Sequence, residues 1–358
     1  AAAAARHARA RGPAGVPAAR LRVGWKGARG FSTEKSATPL NMYSWRVDAL
    51  QKWIKDVEGS GQAVTMQALT KAGHLDQYHY LGLTANDEVI TLLQARGGDK
   101  LLDVGAGIGG PARYISWKSG CAVYAMDIQP ELVEMGNEVS RMVGMADKVA
   151  FDCVDATSDA FDRVAEFDGF YSILVILHIP KAPRLRMFDK LARSCKPGAP
   201  FVIEDYVLAF DDKPLTQEEV ERVSRVVGAV YIPTVPEYIA QLEAAGFEDV
   251  KSEPLTEPWV AWTASRRDMF LAKKDRHIAT HGEKHYAMME EFYTTVGEMF
   301  EGGRLGGARI TGRAKLPAGA APEAQALAAR LAAGRAQLGG RAHTAEEVRQ
   351  MLIDQRTV

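Results

Sequence analysis

Leu101-Leu102-Asp103-Val104-Gly105-Ala106-Gly107-Ile108-Gly109-Gly110 is an apolar run that ends in Asp-x-Gly-x-Gly-x-Gly. It passes directly into Pro111-Ala112-Arg113-Tyr114-Ile115, which reads as the start of a helix. A strand that turns so sharply into a helix needs residues without Cβ atoms, so that backbone N–H groups can face a ligand closely. The stretch predicts a small anionic or zwitterionic cofactor held at the C-terminal end of a strand.

Two cofactors fit the glycines alone. Gly105, Gly107 and Gly110 satisfy the dinucleotide fingerprint, and Asp127 follows about twenty residues on, where a ribose-binding acid belongs. Asp103 separates the readings. A carboxylate beside a pyrophosphate repels it in a partly dry site, whereas a cofactor with an ammonium group attracts one. The pattern resembles motif I of class I S-adenosylmethionine (SAM) methyltransferases. Asp127, closing Cys121-Ala122-Val123-Tyr124-Ala125-Met126, resembles their ribose-binding acid. Asp155-Ala156, after Val149-Ala150-Phe151-Asp152-Cys153-Val154, resembles the pair they place against adenine. Three strand-end acids in this order favour SAM over NAD.

Outward from the loop, Lys100–Val104, Cys121–Asp127, Lys148–Val154, Phe170–Leu177 and Phe201–Tyr206 read as strands. Between them Pro111–Lys118, Pro130–Val143 and Arg184–Cys195 read as helices, an alternation that means a parallel sheet covered on both faces. Glu237–Ala245 is a helix stopped by Gly246, before a strand near Phe247–Pro254. A long helical region is expected from Ala264 to about Phe300, then a last strand near Ala308–Gly312. The class I plan implies that this seventh strand pairs antiparallel. The expected fold is therefore α/β, a Rossmann-like seven-stranded, mostly parallel sheet with helices on both faces, over residues 83–313. Residues 34–82 are read as a helical segment, because Trp45, Ala49, Leu50, Trp53, Ile54 and Val57 recur at helical spacing and Gly59-Ser60-Gly61 breaks the pattern. It would cover the cofactor pocket or carry homodimer contacts.

Composition narrows the class. The chain has 358 residues, 47% hydrophobic and 25% charged, enough for a sizeable core, and its net charge of −1 gives no reason to expect nucleic acid. Cys121, Cys153 and Cys195 are unclustered and lie in or near apolar segments, so they read as buried thiols and not as disulfides or metal ligands. No apolar run reaches membrane-spanning length. Residues 1–33 carry Arg6, Arg9, Arg11, Arg20, Arg22, Arg29 and Lys26, with no acid before Glu34. Such a leader resembles an organelle transit peptide, mitochondrial ahead of chloroplast. Residues 314–358 turn Ala-rich, with hardly a patterned apolar face, and are expected to be a flexible tail.

The acceptor is expected above the ends of the fourth and fifth strands. His178, just past Ile173-Leu174-Val175-Ile176-Leu177, is a base or a structural histidine. Asp205 pairs with a cation or caps a loop. Tyr78, Tyr80, Tyr206, Tyr231, Trp259 and Trp262 offer aromatic faces to a cation. Arg222, Arg225, Arg266 and Arg267 are candidates for an anionic end of the acceptor. His277, His281 and His285 share a helical spacing, yet Gly282 interrupts them and no carboxylate completes a motif, so no metal is assigned.

With these residues located, Asp76-Gln77-Tyr78-His79-Tyr80-Leu81-Gly82 and the stretch from Leu102 to Tyr114 look like methyltransferases of betaine-type compatible solutes. The block from Trp45 to Gly312 is similar to the methylthiohydroxybutyrate S-methyltransferases of dimethylsulfoniopropionate synthesis. The resemblance implies methyl transfer from SAM to the thioether sulfur of 4-methylthio-2-hydroxybutyrate. It implies that Asp103, Gly105, Ala106 and Gly107 hold the methionine end of the cofactor. Asp127 and Ile128 would lie at the ribose, Asp155 and Ala156 at adenine. Beyond what the motifs carry, we expect Tyr80, Tyr206 and Tyr231 to face the sulfonium, with Arg225 and Trp262 on the carboxylate-bearing substrate. An N-methyltransferase of sarcosine- or dimethylglycine-like amines shares these motifs, as does a SAM-binding protein without catalysis.

Overall fold

The computed structural model describes residues 43–316 together with 322, 325, 326, 329, 347 and 348. The Arg-rich segment 1–33 lies outside the described residues, as does nearly all of the Ala-rich tail. Three helices open the described chain: α1 (Ser44–Gly59), α2 (Met66–Ala72) and α3 (Leu83–Leu93). There follow β1 (Lys100–Val104), α4 (Gly110–Ser119), β2 (Ala122–Asp127), α5 (Pro130–Met142), β3 (Val149–Cys153), β4 (Gly169–Ile173), α6 (Lys181–Ser194) and β5 (Pro200–Leu208). The second half adds α7 (Gln217–Val227), α8 (Val235–Ala244), β6 (Phe247–Pro254), α9 (Thr256–Leu271), α10 (Lys274–His281), α11 (Glu283–Glu301) and β7 (Leu305–Ala314).

The strands form one seven-stranded sheet in the order β3-β2-β1-β4-β5-β7-β6. Its first five strands pair in parallel, and β7 runs antiparallel to both β5 and β6. This is the sheet the sequence predicts. A strand covered on both faces must be apolar at every position, and its alternate side chains must serve two cores. Leu101, Val123 and Ala125 point into one cluster with Leu50, Ile54, Ile115 and Leu132. Leu102, Val104, Tyr124 and Met126 point into the other, with Phe170, Phe188, Leu191 and Phe201. Between β1 and β4 the connections diverge to opposite sides, which opens a crevice at the strand ends.

Two expectations change. The fourth strand ends at Ile173 and not at Leu177, because Leu174 takes a left-handed conformation (φ 56°) while its N–H donates to the Glu204 carbonyl. A 3-10 turn over Ile176–His178 follows, which swings His178 across the crevice. The single helical region from Ala264 to Phe300 is three helices, broken after Leu271 and again at Gly282, where φ is 83°. A third apolar cluster closes that side, joining Leu81, Tyr206, Trp259, Trp262 and Phe300 with Val348 from the Ala-rich tail, which is fully buried there.

Candidate active site

The glycine loop is fastened to its neighbour before any ligand is considered. The N–H groups of Gly105 and Ala106 both donate to the Met126 carbonyl at 2.9 Å. Gly105 has φ +78°, and a Cβ there would lie 2.3 Å from Val175, so the turn cannot carry a side chain. At Gly110 a Cβ would meet the Asp76 carbonyl oxygen at 1.8 Å, because the segment 76–82 lies directly on the start of α4. A buried ion pair holds that segment down, with Arg113 Nη2 donating to Asp76 Oδ1 at 2.7 Å.

The crevice is a cavity of about 450 Å³, ordinary for a small-molecule site. Asp103, Gly105, Ala106, Gly107, Asp127, Ile128, Asp155, Ala156, Tyr80, His178 and Tyr206 all line it. Asp103 is almost wholly buried, accepts from the Tyr171 hydroxyl at 3.0 Å, and is pushed up to about 8 by burial. A carboxylate kept in such a place is suited to an ammonium group. Asp127 accepts from the N–H of Gly107 (2.8 Å) and of Gln129 (2.9 Å), and burial raises its pKa also. Beside it the buried Gln129 Oε1 has no hydrogen-bond partner, an orphaned acceptor where a sugar hydroxyl would donate. Asp155 Oδ1 takes bonds from Thr157 N and Oγ1, both 2.8 Å, which fixes the turn after β3. Ammonium-seeking acid, glycine loop, acid beside an orphaned acceptor, and the Asp155–Ala156 turn fit the methionine, ribose and adenine parts of SAM in order.

The opposite wall is aromatic and apolar. The Tyr80 and Tyr206 hydroxyls share a short hydrogen bond, and their rings lie 6.2 Å apart. Trp259 supports Tyr80 from behind at 4.9 Å, and Phe300 meets Tyr206 at 5.2 Å. His178 Nδ1 donates to the Gly228 carbonyl at 2.9 Å, which leaves the Nε2 lone pair for the Tyr43 hydroxyl at 3.4 Å. Burial lowers its pKa, so the ring is neutral near pH 7.

Three expected acceptor residues are elsewhere. Tyr231 does not line the cavity; its hydroxyl joins Glu237 and Gln241, and its ring covers the Arg184 guanidinium at 4.5 Å. Arg225 is spent on Glu291 of α11 at 2.6 Å, outside the cavity, because α7 and α11 pack side by side with opposite charges facing. Trp262 is buried in the third apolar cluster, where helical spacing puts it on the same inward face as Trp259. Arg222 likewise pairs with Glu298, and Arg267 with Glu301. Asp205, on β5, does not line the cavity and accepts from the Tyr238 hydroxyl at 3.1 Å. Among the described residues no group of His, Cys, Asp or Glu is arranged to hold a metal ion, and the rings of His277, His281 and His285 follow one another at 6.5 and 5.0 Å, the last pair tilted. The sequence reading missed Tyr43, Arg46 and Phe292, which also line the cavity. Only the helical spacing of α1, which places position 46 inward, hints at one of them.

The fold and this site define a SAM-dependent methyltransferase of the class I, Rossmann-like kind. Residues 102–203 match the family described as methyltransferase domain. The chain is 27% identical over 210 residues to the phosphoethanolamine N-methyltransferase of Plasmodium falciparum, covering 59% of this chain and 76% of that one. Among solved structures it is similar to phosphoethanolamine N-methyltransferase 2 of Haemonchus contortus bound to S-adenosylhomocysteine (TM-score 0.60, 19% identity). That match covers 70% of this chain but only 58% of the nematode one. A protein of Galdieria sulphuraria assigned as a sarcosine dimethylglycine methyltransferase superposes with TM-score 0.57 at 19% identity, covering 65% of this chain and 83% of that one. The reading as a SAM-binding protein without catalysis is set aside.

Proposed function

We propose that this methyltransferase acts on the thioether sulfur of 4-methylthio-2-hydroxybutyrate and forms 4-dimethylsulfonio-2-hydroxybutyrate. One observation carries the reading: the wall opposite the glycine loop offers the paired Tyr80 and Tyr206 rings, backed by Trp259 and Phe300, and among the described residues no carboxylate lines it. Besides the strand-end acids Asp103, Asp127 and Asp155, the cavity lining among the described residues holds one more acid, Asp76, and it is committed to Arg113. SAM supplies an electrophilic methyl group. The acceptor sulfur already has a lone pair, so the new S–C bond forms as the old one breaks and no proton has to leave. The protein's part is then alignment in a dry pocket and aromatic cover for a sulfonium, which both substrate and product sides of the reaction carry. The likeness of the block from Trp45 to Gly312 to thioether methyltransferases of dimethylsulfoniopropionate synthesis points the same way.

A second reading rests on His178. Its Nε2 lone pair, set by the Nδ1 bond to Gly228 and held only by a long 3.4 Å contact from the Tyr43 hydroxyl, suits removal of a proton from an amine. The names of the Plasmodium and Galdieria relatives favour such an acceptor. Purified protein with labelled SAM and a panel of thioether, amine and hydroxyl acceptors tests both. The dimethylsulfonio acid is the expected product; turnover of dimethylglycine without the thioether acid would sink the first reading. We also propose that residues 1–33 are an organelle address, mitochondrial ahead of chloroplast, read by fusing them to a fluorescent reporter.

A further inference from the structure

Helix α1 puts one cation into the cavity wall that no acid among the described residues answers. Arg46 is 8% exposed and lines the cavity, and its Nε and Nη1 have no hydrogen-bond acceptor. Its guanidinium lies 3.4 Å from the centroid of the Tyr78 ring and 5.0 Å from that of Tyr43. The hydroxyl of Tyr78, on the same wall, is also buried without a partner. Among the described residues no carboxylate forms an ion pair with Arg46, and Asp76, which lines the same cavity, is taken by Arg113. An unanswered buried guanidinium is costly, and aromatic faces offset only part of that cost. Three unused donors in one wall (two on Arg46 and one on Tyr78) make a seat for a planar anion.

We propose that Arg46, with Tyr78, binds the carboxylate of the methyl acceptor. The inference rests on the reading that the acceptor is a small acid, and it fills the role that Arg225 cannot. Position argues for the acceptor over the cofactor as the source of the carboxylate. Tyr43, whose ring meets Arg46, reaches with its hydroxyl to His178 on the turn after β4, the side on which the acceptor is expected. A seat there fixes one end of the acceptor and leaves its reacting atom to the Tyr80–Tyr206 wall. It also selects acids over neutral analogues of the same shape.

The test is steady-state kinetics with two acids, the thioether acid and dimethylglycine, each beside its carboxamide, together with direct titration of SAM. Loss of a charged hydrogen-bond pair is worth roughly 10- to 100-fold. Arg46→Gln is expected to raise KM for the accepted acid by about that factor with little change in kcat, and to leave KM for the carboxamide within about threefold. Arg46→Lys should recover part of the loss. Tyr78→Phe, which removes only a hydroxyl, should raise the acid's KM by a smaller factor of about 3 to 10 and serves if Arg46→Gln does not fold. Equal effects on acid and carboxamide overturn the proposal. So does a weakened SAM affinity with unchanged acceptor KM, which would give the seat to the cofactor's carboxylate. If dimethylglycine alone turns over and its KM depends on Arg46, the thioether reading fails and the seat stands. If only neutral acceptors turn over, the seat fails.

Discussion

Asp103 shows how one residue links the sequence motif to a measurable pH effect. Burial holds its pKa at about 8 in the ligand-free chain, far above a free carboxyl. The folded protein therefore keeps a proton that the unfolded chain has lost. Stability contributed by this site falls as pH rises from about 4 towards 8. Asp103→Asn is expected to flatten that fall and raise the melting temperature of the ligand-free protein at pH 8, as scanning calorimetry would show. A bound ammonium reverses the preference by favouring the ionised acid. SAM binding at pH 7 should release close to one proton from wild type and far less from Asp103→Asn, measured by titration calorimetry in buffers of different ionisation enthalpy. The variant should bind SAM about 10- to 100-fold more weakly. His178 carries a second such effect. Its pKa lies below the ordinary 6.5 because it is buried. With a thioether acceptor, kcat should stay flat down through that value and change less than about tenfold in His178→Asn. An amine acceptor that needs a base should show an acid limb and lose about 100-fold or more in the same variant.

At the scale of elements, the three strand-end acids were legible because each follows a short apolar run and must face the crevice once the sheet is parallel. The register sets Asp103 opposite Ala125 and Asp127 opposite Cys153, and all three acids line the cavity. The acceptor wall was not legible. Arg225 belongs to Glu291, 66 residues on, and nothing local announces that pairing. Arg46 and Tyr43 reach the cavity from a helix whose sequence pattern shows only that one face is apolar. The same long-range logic governs the segment 76–82, which brings Tyr78 and Tyr80 to the cavity. It is pinned by Arg113–Asp76 and by contact with Gly110. Removing one partner of a fully buried pair leaves the other charge stranded, which costs about 3–5 kcal/mol. Asp76→Ala should lose that much stability in urea unfolding, and the double variant Asp76→Leu/Arg113→Met should recover most of it. Gly110→Ala, whose Cβ would run into backbone and not a yielding side chain, should weaken SAM binding as well as stability.

Across the whole molecule, the two faces of the sheet are ordinary packed cores that the alternation of β1 and β2 dictates. The third cluster is different, because it is both a core and the back of the active site. Tyr206 lines the cavity and at the same time packs with Trp259 and Phe300 in the cluster that also takes in the distant Val348. The Ala-rich tail was read as a flexible appendage because it lacks a patterned apolar face, yet a single valine can be buried without any pattern. Burying a valine fully is worth roughly 2 kcal/mol, and placing a carboxylate in that position costs considerably more. Val348→Ala should therefore lower stability by about 2 kcal/mol, and Val348→Asp by more. Because the cluster supports the Tyr80–Tyr206 wall, Val348→Asp should also raise the acceptor's KM, while SAM binding on the far side of the crevice changes little. If the acceptor's KM rose and SAM affinity fell together in proportion to the loss of stability, Val348 would be only a core residue. A change confined to the acceptor would make the tail part of the wall that selects it.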